Sequence, residues 1–161
     1  NIKKTIKKDS LVVLVLGASF ESKIYPIEKY LLIVKAIDAN FIPIWKSDSE
    51  RIMAQQLAKK SENIIVPENL SIRELKELIS TASLVIGGDT GPTHLAWAMN
   101  IPSITLFGCT PMDRNCYQTN QNFAIKGSSK VDPYKIDRND FSINEIDPDK
   151  IIEIIKQRIK L

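Results

Sequence analysis

Residues 84–107 read Leu-Val-Ile-Gly-Gly-Asp-Thr-Gly-Pro-Thr-His-Leu-Ala-Trp-Ala-Met-Asn-Ile-Pro-Ser-Ile-Thr-Leu-Phe. A short apolar run, Ser83 to Ile86, has the length and β-branching of a buried strand. Two glycines end it. Gly91 and Pro92 then open a helix, with Pro92 at a position where its missing N–H costs nothing. That helix runs through Leu95 to Met99 and feeds a second apolar run, Ile104 to Phe107. Strand, glycine-rich turn, helix and strand make a βαβ unit, which calls for a parallel sheet.

The same alternation extends outward. Leu11 to Leu16 is an unbroken apolar run ending at Gly17, the pattern of a strand buried on both faces. Pro26 starts a helix carrying Tyr30, Leu31, Val34 and Ile37 at helical spacing, and Phe41 to Trp45 follows as a strand. Ser47 or Asp48 caps a helix with Ile52, Met53, Leu57 and Ala58 on its apolar side. Ile64 to Val66 is expected as a third strand. Ser71 and Glu74 form a capping box before Leu75, Leu78 and Ile79. Gly108 to Asn122 reads as irregular, Phe123 to Ile125 as a last strand. Asp147 and Pro148 open a final helix with Ile151, Ile152, Ile155 and Ile159 on one face. The expected fold is α/β, a Rossmann-like, doubly wound parallel sheet.

Composition narrows the classes. The 161 residues are 43% hydrophobic and 25% charged, enough for one domain with a sizeable core. A net charge of +3 is too slight to argue for nucleic acid. Cys109 and Cys116 are the only cysteines; their spacing is not that of a zinc site, and a reducing, cytoplasmic compartment is expected. No apolar run approaches the roughly 20 residues that span a bilayer. The chain opens at Asn1 with a charged stretch, so residues 1–10 are expected to be an interdomain linker and 11–161 one domain of a longer protein.

In an open parallel sheet, ligands gather beyond the carboxyl ends of the strands. Gly87 and Gly88 would let backbone approach a ligand there. The free amides of the first turn at Gly91 and the positive end of the helix dipole favour an anion, phosphate above all. Thr90 and Thr93 add hydroxyls, and His94, the single histidine, could donate an N–H to a phosphate oxygen. Asp89 would brace the turn by accepting backbone N–H bonds from the residues after it. The segment is neither a Walker loop nor Gly-x-Gly-x-x-Gly. On local physics alone it serves equally well as strand-to-helix punctuation.

Gly88 to Gly108, with Asp-Thr-Gly-x-x-His, Leu-x-x-Ala and a strand ending in Phe-Gly-x-Thr, resembles the signature of the lipopolysaccharide heptosyltransferase family. The likeness runs from Leu11 to about Tyr117 and returns at the final helix. It implies the C-terminal half of a GT-B type glycosyltransferase, the domain that binds the nucleotide-sugar donor, here ADP-heptose. By that resemblance Lys23, Thr90, Gly91 and His94 hold the diphosphate, and Asp89 shapes the loop. Asp48 matches an acidic residue on the ribose hydroxyls, with Glu50 as the alternative. Thr110, Arg114 and Tyr117 would line the sugar or acceptor side, and Arg114, Asn115 and Tyr117 resemble members that add the first heptose.

The resemblance implies that the catalytic base and the acceptor site lie in an N-terminal domain absent from this chain, so the chain alone is expected to bind donor and transfer nothing. No metal cofactor is expected: Asp147-Pro148-Asp149 resembles a metal-binding Asp-x-Asp, but a helix cap accounts for it. The expected partners are ADP-heptose and the lipopolysaccharide inner core; the basic first segment and the Lys-rich last helix offer a peripheral contact to the inner membrane, but for the helix the preferred expectation is an isoleucine face that meets a core or the missing domain. Two alternatives stand beside this reading. One is another GT-B-like sugar-nucleotide enzyme, a UDP-sugar transferase or a 2-epimerase. The other is a stand-alone nucleotide- or phosphate-binding module.

Overall fold

The structure, a computed structural model, describes residues 10–159 and Leu161. The expected linker therefore lies, except for Ser10, outside the described residues. Five parallel strands form one sheet: β1 (Leu11–Val15), β2 (Asn40–Ile44), β3 (Leu84–Gly88), β4 (Ser103–Phe107) and β5 (Asn122–Lys126), in the order β2-β1-β3-β4-β5. The helices are α1 (Ile27–Ala36), α2 (Asp48–Ala58), α3 (Ile72–Thr81), α4 (Gly91–Ala98), α5 (Met112–Asn115) and α6 (Pro148–Arg158).

Alternation along β1 builds a core on each face. Val12, Leu14 and Leu16 pack with Tyr30 and Ile33 of α1, Leu57 of α2, and Ile151 and Ile155 of α6. Leu11, Val13 and Val15 pack with Ile79 of α3 and Ala96 of α4. Both faces are covered, as the unbroken apolar run requires. The isoleucine face of α6 thus meets the domain's own core. At its start Asp147 accepts the Asp149 N–H (3.0 Å) and Pro148 takes the first position, so this acidic pair is a cap.

Three expectations need correction. Ile64–Val66 forms no strand; Ile64 makes a single parallel bridge to Phe41. Phe41 donates to Asn63 O (2.8 Å) and accepts from Ile65 N–H (2.9 Å). The next two ladder bonds would need N–H groups from Pro43 and Pro67, and proline has none. Next, β3 runs through Gly87 and Gly88, which pair in register with Val15, Thr105 and Leu106. A Cβ on Gly87 would strike the Val15 side chain, and one on Gly88 the Lys23 carbonyl oxygen. Close packing of the chain on itself, and not ligand approach, requires this glycine pair. Last, the stretch read as irregular contains α5.

Connections from β1 and from β3 leave toward opposite edges of the sheet, which opens a crevice between their carboxyl ends. The end of α4 is set by Asn100, the one non-glycine residue at positive φ among the described residues (56°). Its N–H reaches Trp97 O and that of Ile101 reaches Ala96 O (both 2.9 Å), a Schellman closure that turns the chain into β4.

Candidate functional site

A cleft of about 730 Å³ lies at that crevice, a size suited to a small ligand. One wall is polar: Lys23 from the turn after β1, Asp89 from the end of β3, Thr90, Gly91 and His94 from the start of α4, and Asn115 of α5. A second part of the lining is apolar: Ile44 and Trp45 from the end of β2, and Leu70, Ile72 and Leu75 from the approach and first turns of α3. Trp45 is held by its indole N–H on Pro67 O (2.9 Å).

Asp89 is the electrostatic centre. Its side chain is only 4% exposed. It accepts from His94 Nε2 (2.7 Å) and Asn115 Nδ2 (2.9 Å), and Lys23 Nζ stands 3.9 Å away. Burial pushes the carboxyl up, but Asn115, the nearby Thr110 hydroxyl, His94 and the Lys23 charge outweigh it and hold it below the ordinary 3.8. The expected backbone bonds from the following residues are not made. Asp89 binds side chains from three elements because its carboxylate points across the crevice, and the turn is braced instead by Thr93.

Thr93 is fully buried. Its hydroxyl donates toward Gly88 O and Thr90 O (both 2.8 Å) and accepts the Thr90 N–H (3.2 Å). This corrects its expected place as a ligand donor. Thr90, by contrast, lines the cleft, and its buried hydroxyl makes no hydrogen bond. Gly91 also lines the cleft, and a Cβ there would meet nothing within 4 Å. Of the three glycines, it is the one that keeps space open beside the amide end of α4.

His94 is 45% exposed and stacks on Trp97, ring centroids 4.5 Å apart. Because Asp89 is anionic, Nε2 carries the proton and donates to it. An incoming phosphate must therefore either meet Nδ1 in the imidazolium form or draw Nε2 away from Asp89. Lys23, 13% exposed, sits 5.3 Å from the Phe20 ring centroid, and that ring also carries Arg138 at 5.2 Å.

The acidic pair after β2 separates. Ser47 is the cap of α2, accepting the Glu50 N–H (3.3 Å), and Asp48 is exposed outside the cleft lining. Glu50 lines the cleft, its carboxylate accepting the Lys46 N–H (2.7 Å) and lying against Gly17. Thr110 and Arg114 line a neighbouring cavity instead. Tyr117 is 76% exposed and lines neither cavity. Cys109 is buried against Ser22 Oγ (3.5 Å); burial and the Asp89 charge push the Cys116 thiol up, away from an activated thiolate.

Sequence reasoning left Asn115 and the apolar wall out of the binding set. Asn115 sits 26 positions from Asp89, and no local pattern links them. The wall was legible only as a helix start, since its cleft-facing residues are ordinary amphipathic ones.

Asp89→Asn is expected to lower stability at neutral pH by about 1–3 kcal/mol, because Lys23 and His94 lose a buried counter-charge. The native carboxyl titrates below its unfolded value of 3.8. Its contribution is thus complete above that pH and fades as pH falls through the lower native value. Urea midpoints of the two proteins should differ at pH 7 and converge as pH falls below 3.8 and on through the lower native value. A gap that persists in acid would contradict this assignment.

Comparison with known proteins agrees with the fold. The family model described as Glycosyltransferase family 9 (heptosyltransferase) matches residues 2–134. Lipopolysaccharide heptosyltransferase 1 of Campylobacter coli is 36% identical over an alignment taking in 94% of this chain and 47% of that protein. The chain thus spans about half the length of that relative. Among solved structures, E. coli ADP-heptose lipopolysaccharide heptosyltransferase II superposes with a TM-score of 0.76 at 15% identity, over 93% of this chain and 46% of that one. E. coli heptosyltransferase WaaC with ADP gives 0.72 at 18%, over 92% and 44%. At such identities the structural likeness concerns the fold, a Rossmann-like half of a GT-B enzyme.

Proposed function

We propose, since the chain belongs to glycosyltransferase family 9 (heptosyltransferase), that its cleft holds the donor ADP-heptose of an enzyme that transfers heptose to the lipopolysaccharide inner core. One observation carries this reading: Lys23, Thr90, Gly91 and His94 line one cleft at the amide end of α4, and Ile44, Trp45, Leu70, Ile72 and Leu75 give the same cleft an apolar second part of its lining. The diphosphate lies along the first part, where helix dipole, ammonium and imidazole oppose its charge. The adenine lies on the second, and Glu50 at the end of β2 takes the ribose hydroxyls in preference to Asp48. When the glycosidic bond breaks, the same groups stabilise the departing ADP, so charge stabilisation needs no metal in this reading.

The acceptor hydroxyl must also lose a proton. Asp89 is ill-suited to take it: its carboxylate is saturated with donors and held below its ordinary value. The base, with most of the acceptor site, is therefore assigned to an N-terminal domain of the whole protein, and this chain alone is expected to bind donor without turnover. The unpaired thiols of Cys109 and Cys116 support a cytoplasmic setting. No helix among the described residues is long and apolar enough to cross a membrane.

Titration calorimetry with ADP and UDP tests the reading. ADP is expected to bind with a Kd of about 1 mM or tighter and UDP at least roughly tenfold more weakly, because a purine covers more of the apolar wall. Equal affinities, or a preference for UDP, would move the assignment to a UDP-sugar enzyme.

A further inference from the structure

A line of hydrogen bonds enters the cleft from outside it. Asp132 accepts the Tyr134 N–H (2.9 Å), and the Lys135 N–H reaches Asp132 O (3.3 Å). Pro133 thus holds the second position of a tight turn, where its ring pre-sets φ. The Pro133 carbonyl accepts from Arg114 Nη1 (2.7 Å), and Arg114 Nε donates to Asn115 Oδ1 (3.1 Å). Asn115 Nδ2 then donates to Asp89 Oδ2 (2.9 Å), and Asp89 Oδ1 takes the N–H of His94 Nε2 (2.7 Å). Arg114 is exposed and lies outside the lining of the cleft, whereas Asn115 and His94 belong to it.

Each link has one possible polarity. A guanidinium only donates, and an anionic carboxylate only accepts. The Asn115 amide between them must present its oxygen to Arg114 and its nitrogen to Asp89, since a flipped amide would lose both bonds. The two oxygens of Asp89 are divided in turn. Oδ2 belongs to Asn115, with Lys23 Nζ 3.9 Å away, and Oδ1 belongs to His94. Burial pushes the Asp89 carboxyl up, and among the groups that outweigh it Asn115 contributes most. With Nε2–H engaged, Nδ1 is the ring nitrogen of His94 left for a ligand.

We propose that Arg114 and Asn115 are positioning residues of the donor site. Arg114 sets the orientation of the Asn115 amide, Asn115 clamps one oxygen of Asp89, and the other oxygen holds the His94 imidazole with its proton on Nε2. The diphosphate then meets a ring whose orientation and tautomer are fixed before it arrives, which limits the cost of ordering that ring on binding. The proposal rests on the donor occupying the cleft, and it gives Arg114 a task on the donor side although it does not line that cleft.

Imidazole nitrogen shifts of His94, read by NMR together with calorimetry, test this relay. In the parent chain, at a pH where the ring is neutral, His94 is expected as the single Nε2–H tautomer. Asn115→Leu removes the clamp: a mixture of the two tautomers should appear, and ADP affinity should fall by about fivefold or more. Adenosine, which lacks the diphosphate, should bind both proteins equally. Arg114→Met keeps the length of the stem without its donors and should act in the same direction, lowering ADP affinity by about threefold. Arg114→Lys, which keeps a donor, should lie closer to the parent. Because Arg114 acts through Asn115, adding Arg114→Met to Asn115→Leu should change ADP affinity by less than about 1.5-fold. The proposal is overturned by a single unchanged tautomer in Asn115→Leu, by adenosine weakened as much as ADP, or by an Arg114→Met loss as large in the Asn115→Leu background as in the parent. Failure of the parent to bind ADP would instead overturn the donor assignment, and the tautomer and its response to both substitutions are still read in the ligand-free chain.

Discussion

Gly87→Val is expected to cost at least about 3 kcal/mol of stability, lowering the urea midpoint by roughly 1–3 M. Gly87 pairs with Val15 on the neighbouring central strand and with Thr105 on the other side. A Cβ placed on it would lie inside the contact distance of the Val15 side chain and 3.3 Å from Thr93 Cγ2. Val15, at 5% exposure, and the fully buried Thr93 have no solvent to retreat into. A valine therefore forces β1 and β3 apart or pushes α4 off the sheet, and interiors packed at crystal density yield little. A domain with a few kcal/mol in hand would be largely unfolded by a change of this size. A midpoint within about 0.3 M of the parent would show that the sheet accommodates the side chain.

Gly91→Val is expected to do the reverse: stability within about 1 kcal/mol of the parent and ADP affinity reduced by about a hundredfold or more. The two glycines are four positions apart, yet a Cβ on Gly91 meets nothing within 4 Å, and the space it enters is the cleft itself. Three added carbons would occupy the volume beside the amides of α4 where the diphosphate is proposed to lie, and displace it from the dipole and from Lys23. Gly91→Ala should show a smaller loss in the same direction. Calorimetry paired with a melting curve reads both quantities. Unchanged ADP affinity in folded Gly91→Val would remove the diphosphate from this helix end.

This contrast shows where sequence reading reaches and where it stops. Hydrophobic period and punctuation made the parallel sheet legible, since five of the expected strands are built from local apolar runs. The missing strand at Ile64–Val66 failed through two prolines whose importance depends on register: only when the backbone N–H and C=O of Phe41 are seen to point away from β1 do Pro43 and Pro67 both fall on the ladder that would extend it. The glycines were identified and Gly91 was placed at the ligand, but Gly87 and Gly88 were given that role too, and they serve close packing instead. Nothing local says that Gly87 and Gly88 lie against Val15 and Lys23 while Gly91 faces open space.

The site divides in the same way. Lys23, Thr90, Gly91 and His94 were named from a motif and do gather on one wall. The Asp89 network was not foreseen, because its partners Lys23 and Asn115 arrive from distant parts of the chain. That network changes how the site works. The free protein already holds a buried anion among the groups proposed for the diphosphate, so in the proposed complex Lys23 and His94 would serve two negative charges. Lys23 and His94 are thereby kept ordered in the absence of ligand, which limits the cost of fixing them on binding.

An ADP titration of this chain, followed residue by residue in amide and imidazole NMR spectra, tests the central claim most directly. The account predicts saturable shifts at millimolar ADP or below, largest at Thr90, Gly91 and His94, extending to Lys23 and the Asn115 side chain, with a change at the His94 ring as its partnership with Asp89 is altered. No shift at these residues at about 10 mM ADP, or saturable shifts centred elsewhere on the domain, would contradict it.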